Sequence, residues 1–348
     1  MCKELSKSTK YQRLTKETAM VKTHPMWNKY PNIQNFLLEC LELIIEKTTI
    51  ENKAIKKTIT DLIDSKGKLL RPAYFYLFSR LGHANQDMHK EIVAAAASTE
   101  VLHLATLIHD DIIDESDMRR GIETIQSKHG KDVAVYTGDL LLSVYFDLLA
   151  DATDSVEIIK LNTLSMKRVL MGEINQMTNV YNTDVTYEDY LKSIKGKTAQ
   201  LFELSCYEGA YFGQCNPDII EKSRSIGQNI GIAFQMIDDI LDYTQTPEIL
   251  SKPILNDVKQ GIYTLPIILG IESNKEKFLP LLKKGENLSD SDLATLVSLL
   301  NDNDCIKRAQ VIAKKYIDEA LLSIESLPSH PEKDTLYSLT KKLLIREF

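Results

Sequence analysis

The sequence predicts an all-α protein, and three observations lead to this fold class. Its 348 residues include only 14 Gly and 10 Pro, and 43% of them are hydrophobic, which is enough for a sizeable core. Leu, Ile, Lys, Glu and Ala are abundant, and these residues favour helices over strands. Alternating β-runs are few, and neither Asn-Gly nor Asp-Gly hairpin turns occur.

Apolar periodicity defines the helices in chain order. Gly67 ends one helix, and the next begins near Arg71 and Pro72, because a Pro in the first helical turn needs no N–H partner. Residues 117–130 and 250–263 are predicted as loops, and helices continue to the C-terminus. The other predicted helices cover residues 31–47, 52–64, 92–116, 134–150, 155–179, 187–211 and 216–244.

The chain contains no Pro-, Gly- or Ser-rich linker, so residues 26–348 are predicted as a single all-α domain. A disordered tail is expected over residues 1–25, since its first part is polar and basic and lacks the apolar core of a secretory signal. No apolar stretch is long and uninterrupted enough to span a bilayer, so we expect no transmembrane segment.

Charge and cysteine content exclude several classes of protein. The net charge of −7 argues against nucleic acid as a partner. The five cysteines are odd in number and scattered, which fits a reducing compartment and neither a disulfide framework nor a zinc site. The sequence therefore predicts a cytoplasmic location.

The pattern Asp-Asp-x-x-Asp occurs twice, far apart in the chain and within largely apolar stretches. Residues four apart share a helix face, so the first and third Asp of each copy point the same way. Facing carboxylates suit Mg²⁺, which keeps waters and substrate phosphates as its other ligands, so a diphosphate is the expected ligand. A solvated helix face or an N-cap is the alternative, and the spacing of a calcium-binding hand is absent. The predicted ligands are Asp110, Asp111, Asp114, Asp238, Asp239 and Asp242.

The helices that lead to the two clusters carry further signals. His103 lies seven residues before Asp110, on nearly the same face, although a lone helical histidine is more often a core residue. Ala105 and Thr106 are small and leave space beneath the predicted metal site. In the second helix, glycines 227 and 231 indicate either close helix packing or the wall of a channel.

Basic residues form three compact groups near these clusters. Lys68 and Arg71 lie three residues apart at a helix start, where backbone N–H groups favour anions. Arg119 and Arg120 follow the first cluster directly, and a Lys-Gly-Lys-Thr run occupies residues 195–198. Each group alone is more often a solvated face, but three beside two acidic clusters fit a site for two diphosphates.

Six motifs, in order and covering nearly the whole chain from about residue 30, resemble those of the trans-prenyl diphosphate synthases. The two acidic clusters resemble the two aspartate-rich motifs of that family. The motifs are GKLLRP (67–72), LHLATLIHDDIIDESDMRRG (102–121), MGEINQM (171–177), KGKTAQL (195–201), FQMIDDILDYT (234–244) and DVKQGIYTLP (257–266).

The resemblance implies the isoprenoid synthase fold, a bundle of long, mostly antiparallel helices around a deep cavity. It also implies a homodimer and about three Mg²⁺ per active site, for which Mn²⁺ can substitute. The expected activity is head-to-tail condensation of isopentenyl diphosphate with an allylic diphosphate. The expected product is a long all-trans polyprenyl diphosphate for a quinone side chain, and its release implies transient membrane contact.

The resemblance also implies roles for individual residues. The six aspartates match the metal ligands, and Thr198 and Gln235 match polar groups beside the reacting carbons. The role of Glu173 and Gln176, which match an inward-facing polar pair, stays open. Residues that match the allylic diphosphate site are Arg119, Lys197 and Lys252. Residues that match the isopentenyl diphosphate site are Lys68, Arg71, His103 and Arg120.

Product length is expected to depend on the positions four and five residues before the first Asp. Family members that make short products usually carry bulky aromatics there, whereas this chain has Thr106 and Ala105. The sequence departs from the family at Ser251, where Gly is common, and at Ile262, where Lys is common. These two departures are expected to affect closure of the active site rather than its chemistry.

Four other readings of the sequence are weighed against the leading one. A terpene cyclase usually replaces the second aspartate motif and lacks the Lys68, Arg71 and His103 set. A purely regulatory subunit usually loses the aspartates, all of which are present here. A catalytic large subunit that needs a small partner, and a farnesyl or geranylgeranyl diphosphate synthase, remain open.

Overall fold

The computed structural model describes residues 21–64, 67–244 and 255–344. The predicted tail as far as residue 20, and Lys252 with its neighbour Ser251, lie outside the described residues. Most of the described residues are helical, which confirms the predicted all-α class.

The helices are numbered in chain order. Short 3₁₀ turns cover Pro25–Lys29, Gln86–Met88 and Gly285–Asn287, and one π-helical segment covers Lys195–Ala199. The α-helices are α1 (Pro31–Lys47), α2 (Lys53–Ile63), α3 (Leu70–Ser79), α4 (His89–Ile113), α5 (Ile125–His129), α6 (Lys131–Ala152), α7 (Val156–Thr178), α8 (Tyr187–Ile194), α9 (Gln200–Phe212), α10 (Pro217–Thr244), α11 (Asn256–Lys259), α12 (Leu265–Leu282), α13 (Asp290–Asp302), α14 (Cys305–Glu325) and α15 (Pro331–Leu344).

The prediction of a plain loop over residues 117–130 is wrong. Strands β1 (Met118–Arg119) and β2 (Ile122–Glu123) pair in antiparallel fashion, and α5 follows them. The two residues of the turn, Arg120 and Gly121, have φ values of 52° and 81°. A two-residue turn with both φ values positive matches the twist of a hairpin, but an Arg in the first position gave no sequence signal for it.

The helix predicted over residues 187–211 is interrupted. It divides into α8, the π-helical segment and α9, which follow one another without a loop. Single π-helical turns inside α-helices occur frequently at functional sites. The segment contains the Lys-Gly-Lys-Thr run that the sequence singled out.

Contacts divide the chain into two compact units, whereas the expected single domain over residues 26–348 stays a prediction. The first unit contains Met1–Ala73 and Val93–Ala152. Within it α1 packs against α2 and α6, and α5 packs against the same two helices. Lys47 ties α1 to α6 through ion pairs with Asp147 at 2.8 Å and Asp151 at 2.6 Å.

The second unit contains Tyr74–Ile92 and Thr153–Phe348, and α10 runs through its core against α9 and α14. Two glycines of α10 allow this packing. A Cβ at Gly231 would lie 2.4 Å from the Cα of Ala199, and one at Gly227 would lie 2.5 Å from the carbonyl oxygen of Phe202. Of the two readings for this glycine pair, the structure supports close helix packing.

Two described helices are long and apolar enough to cross a membrane by length and composition alone. In Gln86–Ile113, 83% of the most apolar window is buried, and in Lys131–Ala152, 44% is buried. Core helices of soluble proteins pass the same test, so this is a weak indication, and the expected absence of a transmembrane segment stays a prediction.

Candidate active site

The first acidic motif lies at the C-terminal end of α4, whose other face is anchored in the core of the first unit. Val101, Leu102 and Ile108 are at most 2% exposed. Asp110 is half-buried and Asp114 is exposed, so the two carboxylates that share a face are accessible. Asp111, between them, is only 4% exposed.

The hairpin β1–β2 brings Arg119 back onto Asp111. The Nε and Nη2 atoms of Arg119 each lie 2.7 Å from Oδ1 of Asp111. Contacts through two nitrogens fix the orientation of the arginine, in addition to the attraction between the charges. The structure therefore pairs Asp111 with a basic residue, while Asp110 and Asp114 lie on the accessible face.

The Gly-Lys-Leu-Leu-Arg run lies in the same unit. Leu69 adopts a left-handed backbone with φ of 50°. The Nε1 of Trp27, which is 0% exposed, donates a hydrogen bond of 2.8 Å to the carbonyl oxygen of Lys68. A Cβ at Gly67 would lie 2.4 Å from Nη1 of Arg120. The guanidinium of Arg120 can lie against Gly67 because the glycine has no side chain.

Titratable side chains surround Arg71 in the first unit. Burial lowers the pKa of Arg71 to about 10, while Glu100 acts in the opposite direction. Burial raises the pKa of the Glu100 carboxyl, and the positive charges of Arg71 and Arg120 oppose that rise. Desolvation lowers the pKa of His103 well below its usual value, and Arg71 and Arg120 add to this. Burial and the neighbouring guanidinium groups therefore both favour the uncharged form of His103.

The second acidic motif lies near the end of α10. Ile232, Met236 and Ile240 are each 0% exposed and belong to the core of the second unit. At helical spacing this anchoring leaves Asp238 and Asp242 half-buried on a different face. As in the first motif, the first and third aspartates share an accessible face.

Asp239, the middle residue of the second motif, is 5% exposed and accepts two hydrogen bonds. Its Oδ2 accepts from the hydroxyl of Tyr190 at 2.6 Å, and its Oδ1 accepts from Nε2 of Gln235 at 2.8 Å. Burial raises the pKa of Asp239 to about 7, and the charges of Asp257 and Asp238 contribute.

Lys197 and Thr198 lie in the π-helical segment. The Nζ of Lys197 is 2.9 Å from Oε2 of Glu173 on α7, and the hydroxyl of Thr198 donates a 2.5 Å hydrogen bond to Oε1 of Gln235. The second unit thus brings together Lys197, Thr198, Gln235 and the second acidic motif.

Two glycines allow α7 to approach the π-helical segment. A Cβ at Gly172 would lie 2.4 Å from the backbone nitrogen of Lys197, and one at Gly196 would lie 2.6 Å from the carbonyl oxygen of Arg168. Backbone atoms cannot move aside as a flexible side chain can. This contact explains the glycines in the motifs MGEINQM (171–177) and KGKTAQL (195–201). It also places Glu173 within reach of Lys197.

The chemistry of the donor set fits magnesium. Asp110, Asp238 and Asp242 are half-buried and Asp114 is exposed, and their carboxylates are hard oxygen ligands. Among the described residues, no three His, Cys, Asp or Glu side chains cluster closely enough to hold a metal by themselves. Mg²⁺ usually takes one or two protein carboxylates together with waters and substrate phosphates.

Three residues of these sites escaped the sequence reasoning. Trp27 and Tyr190 look like ordinary core aromatics, and Glu100 appears only as a polar interruption in an apolar run. The one available signal was the spacing of Glu100, three residues before His103 and therefore on a neighbouring part of the same helix face.

Comparison with known proteins agrees with these motifs. A family model described as polyprenyl synthetase matches residues 52–300. The chain is 36% identical over 299 residues to the chloroplastic solanesyl-diphosphate synthase 2 of Oryza sativa subsp. japonica, covering 85% of this chain and 73% of the relative. It is 31% identical over 287 residues to heptaprenyl diphosphate synthase component 2 of Geobacillus stearothermophilus, covering 82% of this chain and 88% of the relative.

A solved structure shows the same fold. The crystal structure of geranylgeranyl pyrophosphate synthase from Lactobacillus brevis aligns with a TM-score of 0.88 and 39% sequence identity. The alignment covers 92% of this chain and 99% of that one. The resemblance drawn from the motifs and the expected isoprenoid synthase fold are both confirmed. The chain belongs to the polyprenyl synthetase family.

Proposed function

We propose that this protein is a magnesium-dependent prenyltransferase that adds isopentenyl diphosphate head-to-tail to an allylic diphosphate. Its product is a long all-trans polyprenyl diphosphate, for use as a quinone side chain. The observation that carries this proposal is the pattern shared by the two aspartate motifs. In each, the first and third carboxylates are accessible on one helix face and the middle one is buried.

The basic residues hold the two diphosphates. Lys68, Arg71, His103 and Arg120 bind isopentenyl diphosphate. The allylic diphosphate is bound by Arg119, Lys197 and Lys252.

Magnesium, when bound by the aspartates, neutralises the negative charge that builds on the departing diphosphate. The allylic C–O bond breaks and its electron pair leaves with the diphosphate. The alkene of isopentenyl diphosphate forms the new C–C bond, and the proton released passes to the departing diphosphate. The oxygens of Thr198 and Gln235 stabilise the cation as fixed dipoles, and no enzyme nucleophile is needed.

A long product is supported by the residues below the first motif and by relatives. Ala105 has no exposed surface, whereas Thr106 is partly exposed and its hydroxyl bonds to the carbonyl oxygen of His103 at 2.8 Å. The small, partly exposed side chain of Thr106 leaves room for a growing chain. Two relatives that match are named as a solanesyl and a heptaprenyl diphosphate synthase.

A shorter product is the second candidate. The structure with a TM-score of 0.88 is that of a geranylgeranyl pyrophosphate synthase. Its identity to this chain, 39%, is higher than that of the two long-chain relatives compared here. Product length therefore has to be measured.

The protein acts as a cytoplasmic homodimer that contacts membranes transiently to release its product. The exposed apolar side chains of α7 support the dimer, since residues of this kind that share one side of a helix mark an interface. These residues are Val156, Ile159, Leu164, Leu170, Met171, Ile174 and Met177. The alternative partner is a small non-catalytic subunit, since one relative is named as component 2 of its enzyme.

One assay tests the reaction, the product and the partner together. The purified protein is incubated with Mg²⁺, farnesyl diphosphate and isopentenyl diphosphate, and the products are resolved by chromatography. We expect hexaprenyl diphosphate or longer, formed by the protein alone. Geranylgeranyl diphosphate as the end product would support the second candidate, and no condensation at all would contradict the proposal for the isolated chain. Light scattering with size-exclusion chromatography reports the dimer.

A further inference from the structure

Four side chains of the second unit form one continuous line of hydrogen bonds. Tyr190 donates to Oδ2 of Asp239 at 2.6 Å, and Gln235 donates from Nε2 to Oδ1 of the same carboxylate at 2.8 Å. The hydroxyl of Thr198 donates to Oε1 of Gln235 at 2.5 Å, and this bond completes the line. The line joins α8, α10 and the π-helical segment.

The Tyr190 end of this line is rigid. Its ring is 6% exposed and belongs to the main apolar core of the second unit, together with Ile194 and Met236. Helix α8 starts with a reciprocal capping box between Thr186 and Asp189, immediately before Tyr190. Such a box fixes the start of a helix, so the tyrosine hydroxyl is held in place from both sides.

The donors and acceptors determine the orientation of the Gln235 amide. In the structure both oxygens of Asp239 accept hydrogen bonds, and Oδ1 takes the amide nitrogen of Gln235. The amide oxygen must then point the other way, where it accepts from Thr198. If the amide turned over, its oxygen would face the carboxylate oxygen and its nitrogen would face the reacting carbons.

We propose that Tyr190 and Asp239 form a positioning pair that holds the Gln235 amide with its oxygen towards Thr198 and the allylic carbons. Asp239 accordingly does not bind magnesium, in contrast to Asp238 and Asp242. This inference rests on the proposed condensation, in which the Gln235 oxygen stabilises a cation. It differs from the sequence-based expectation that all six aspartates are metal ligands.

Burial and access support this division of roles. Asp239 is 5% exposed and both its oxygens accept hydrogen bonds, whereas Asp238 and Asp242 are partly accessible. The first motif follows the same rule, since the buried Asp111 binds Arg119 through two short contacts. A cation at Asp239 would have to reach a carboxylate that is almost fully buried and already accepts a hydrogen bond on each oxygen.

The first test compares two hydroxyl deletions in α8. Tyr190→Phe should lower kcat by roughly 10- to 100-fold, the usual cost of losing a group that orients a catalytic residue, with KM for the allylic diphosphate nearly unchanged. Tyr187→Phe is the matched control, because the Tyr187 hydroxyl bonds instead to Tyr316 at 3.2 Å. If both variants keep the kcat of the wild type, the positioning role is wrong.

The second test counts metal ions and does not depend on turnover. Mn²⁺ is titrated in the presence of inorganic pyrophosphate, and free Mn²⁺ is followed by electron paramagnetic resonance. Asp239→Asn should bind as many ions as the wild type, whereas Asp238→Asn should bind fewer. Equal losses in the two variants would show that Asp239 is a ligand and overturn the inference. If the wild type binds Mn²⁺ but condenses nothing, the proposed function fails, and the count still decides the role of Asp239.

Discussion

The Nζ of Lys197 lies 2.9 Å from Oε2 of Glu173, across the closest approach of α7 to the π-helical segment. Both side chains are partly buried, so the pair is less screened than one on the surface. A lysine expected to bind the allylic diphosphate is therefore paired with a carboxylate of the protein. Glu173 belongs to the motif whose role the sequence left open.

Replacing Glu173 with Gln should strengthen diphosphate binding. The variant removes a carboxylate that competes with the diphosphate for Lys197 and keeps the size of the side chain. We expect Kd for inorganic pyrophosphate in the presence of Mg²⁺ to fall roughly threefold to tenfold, up to about 1.4 kcal/mol, as measured by calorimetry. Weaker binding in this variant would show that Glu173 orients Lys197 rather than competing for it.

Replacing Gly172 with Ala should destabilise the second unit. The new Cβ would lie 2.4 Å from the backbone nitrogen of Lys197 and would push α7 away from the π-helical segment. Overpacking of this kind costs about 1–3 kcal/mol, which urea denaturation can measure. Because the segment carries Lys197 and Thr198, kcat should fall as well. Wild-type stability and activity would contradict the close approach.

The buried Glu208 should make stability depend on pH. Burial raises its pKa from 4.5 to about 8, and Asn162 is its hydrogen-bonding partner. Between these two pKa values the folded protein binds a proton that the unfolded chain has released, so the contribution of Glu208 to stability is complete below about pH 4.5 and is lost as pH rises towards 8.

Glu208→Gln removes this titration. The free energy of unfolding of the variant relative to the wild type should rise between pH 5 and 8, by on the order of a few kcal/mol, and level off above that range. Urea denaturation at a series of pH values measures the difference. A constant difference across the range would show that Glu208 titrates normally.

Product length should depend on Thr106 more than on Ala105. Thr106 is partly exposed, so Thr106→Phe should place a ring below the first motif and shorten the product, as chromatography would show. Ala105 is fully buried, so Ala105→Phe should mainly reduce stability, by about 1–3 kcal/mol. Thr106→Ser is the control and should leave product length unchanged. An unchanged product in Thr106→Phe would place the chain-length stop elsewhere.

The features that follow local periodicity were predictable from the sequence. The bounds of α1 agree with the prediction, and the i, i+4 spacing gave the shared faces of Asp110 with Asp114 and of Asp238 with Asp242. Family motifs supplied the roles of these residues, which spacing alone left open between a metal site and a solvated face.

Features that depend on distant parts of the chain were not predictable. The hairpin turn at Arg120 has no common turn sequence, and the π-helical segment depends on Gly172, more than twenty residues before it. Tyr190 is a core aromatic by every local criterion, and only its hydrogen bond to Asp239 reveals a second role.

The central claim is that both aspartate motifs bind a magnesium–diphosphate complex. Calorimetric titration of inorganic pyrophosphate into the protein, with and without Mg²⁺, tests it most directly. We predict that Mg²⁺ adds a binding event for pyrophosphate, and that this Mg²⁺-dependent event is lost in both Asp110→Ala and Asp238→Ala, while circular dichroism shows unchanged helicity. The same binding with and without Mg²⁺, or an unchanged Mg²⁺-dependent event in either variant, would contradict the account.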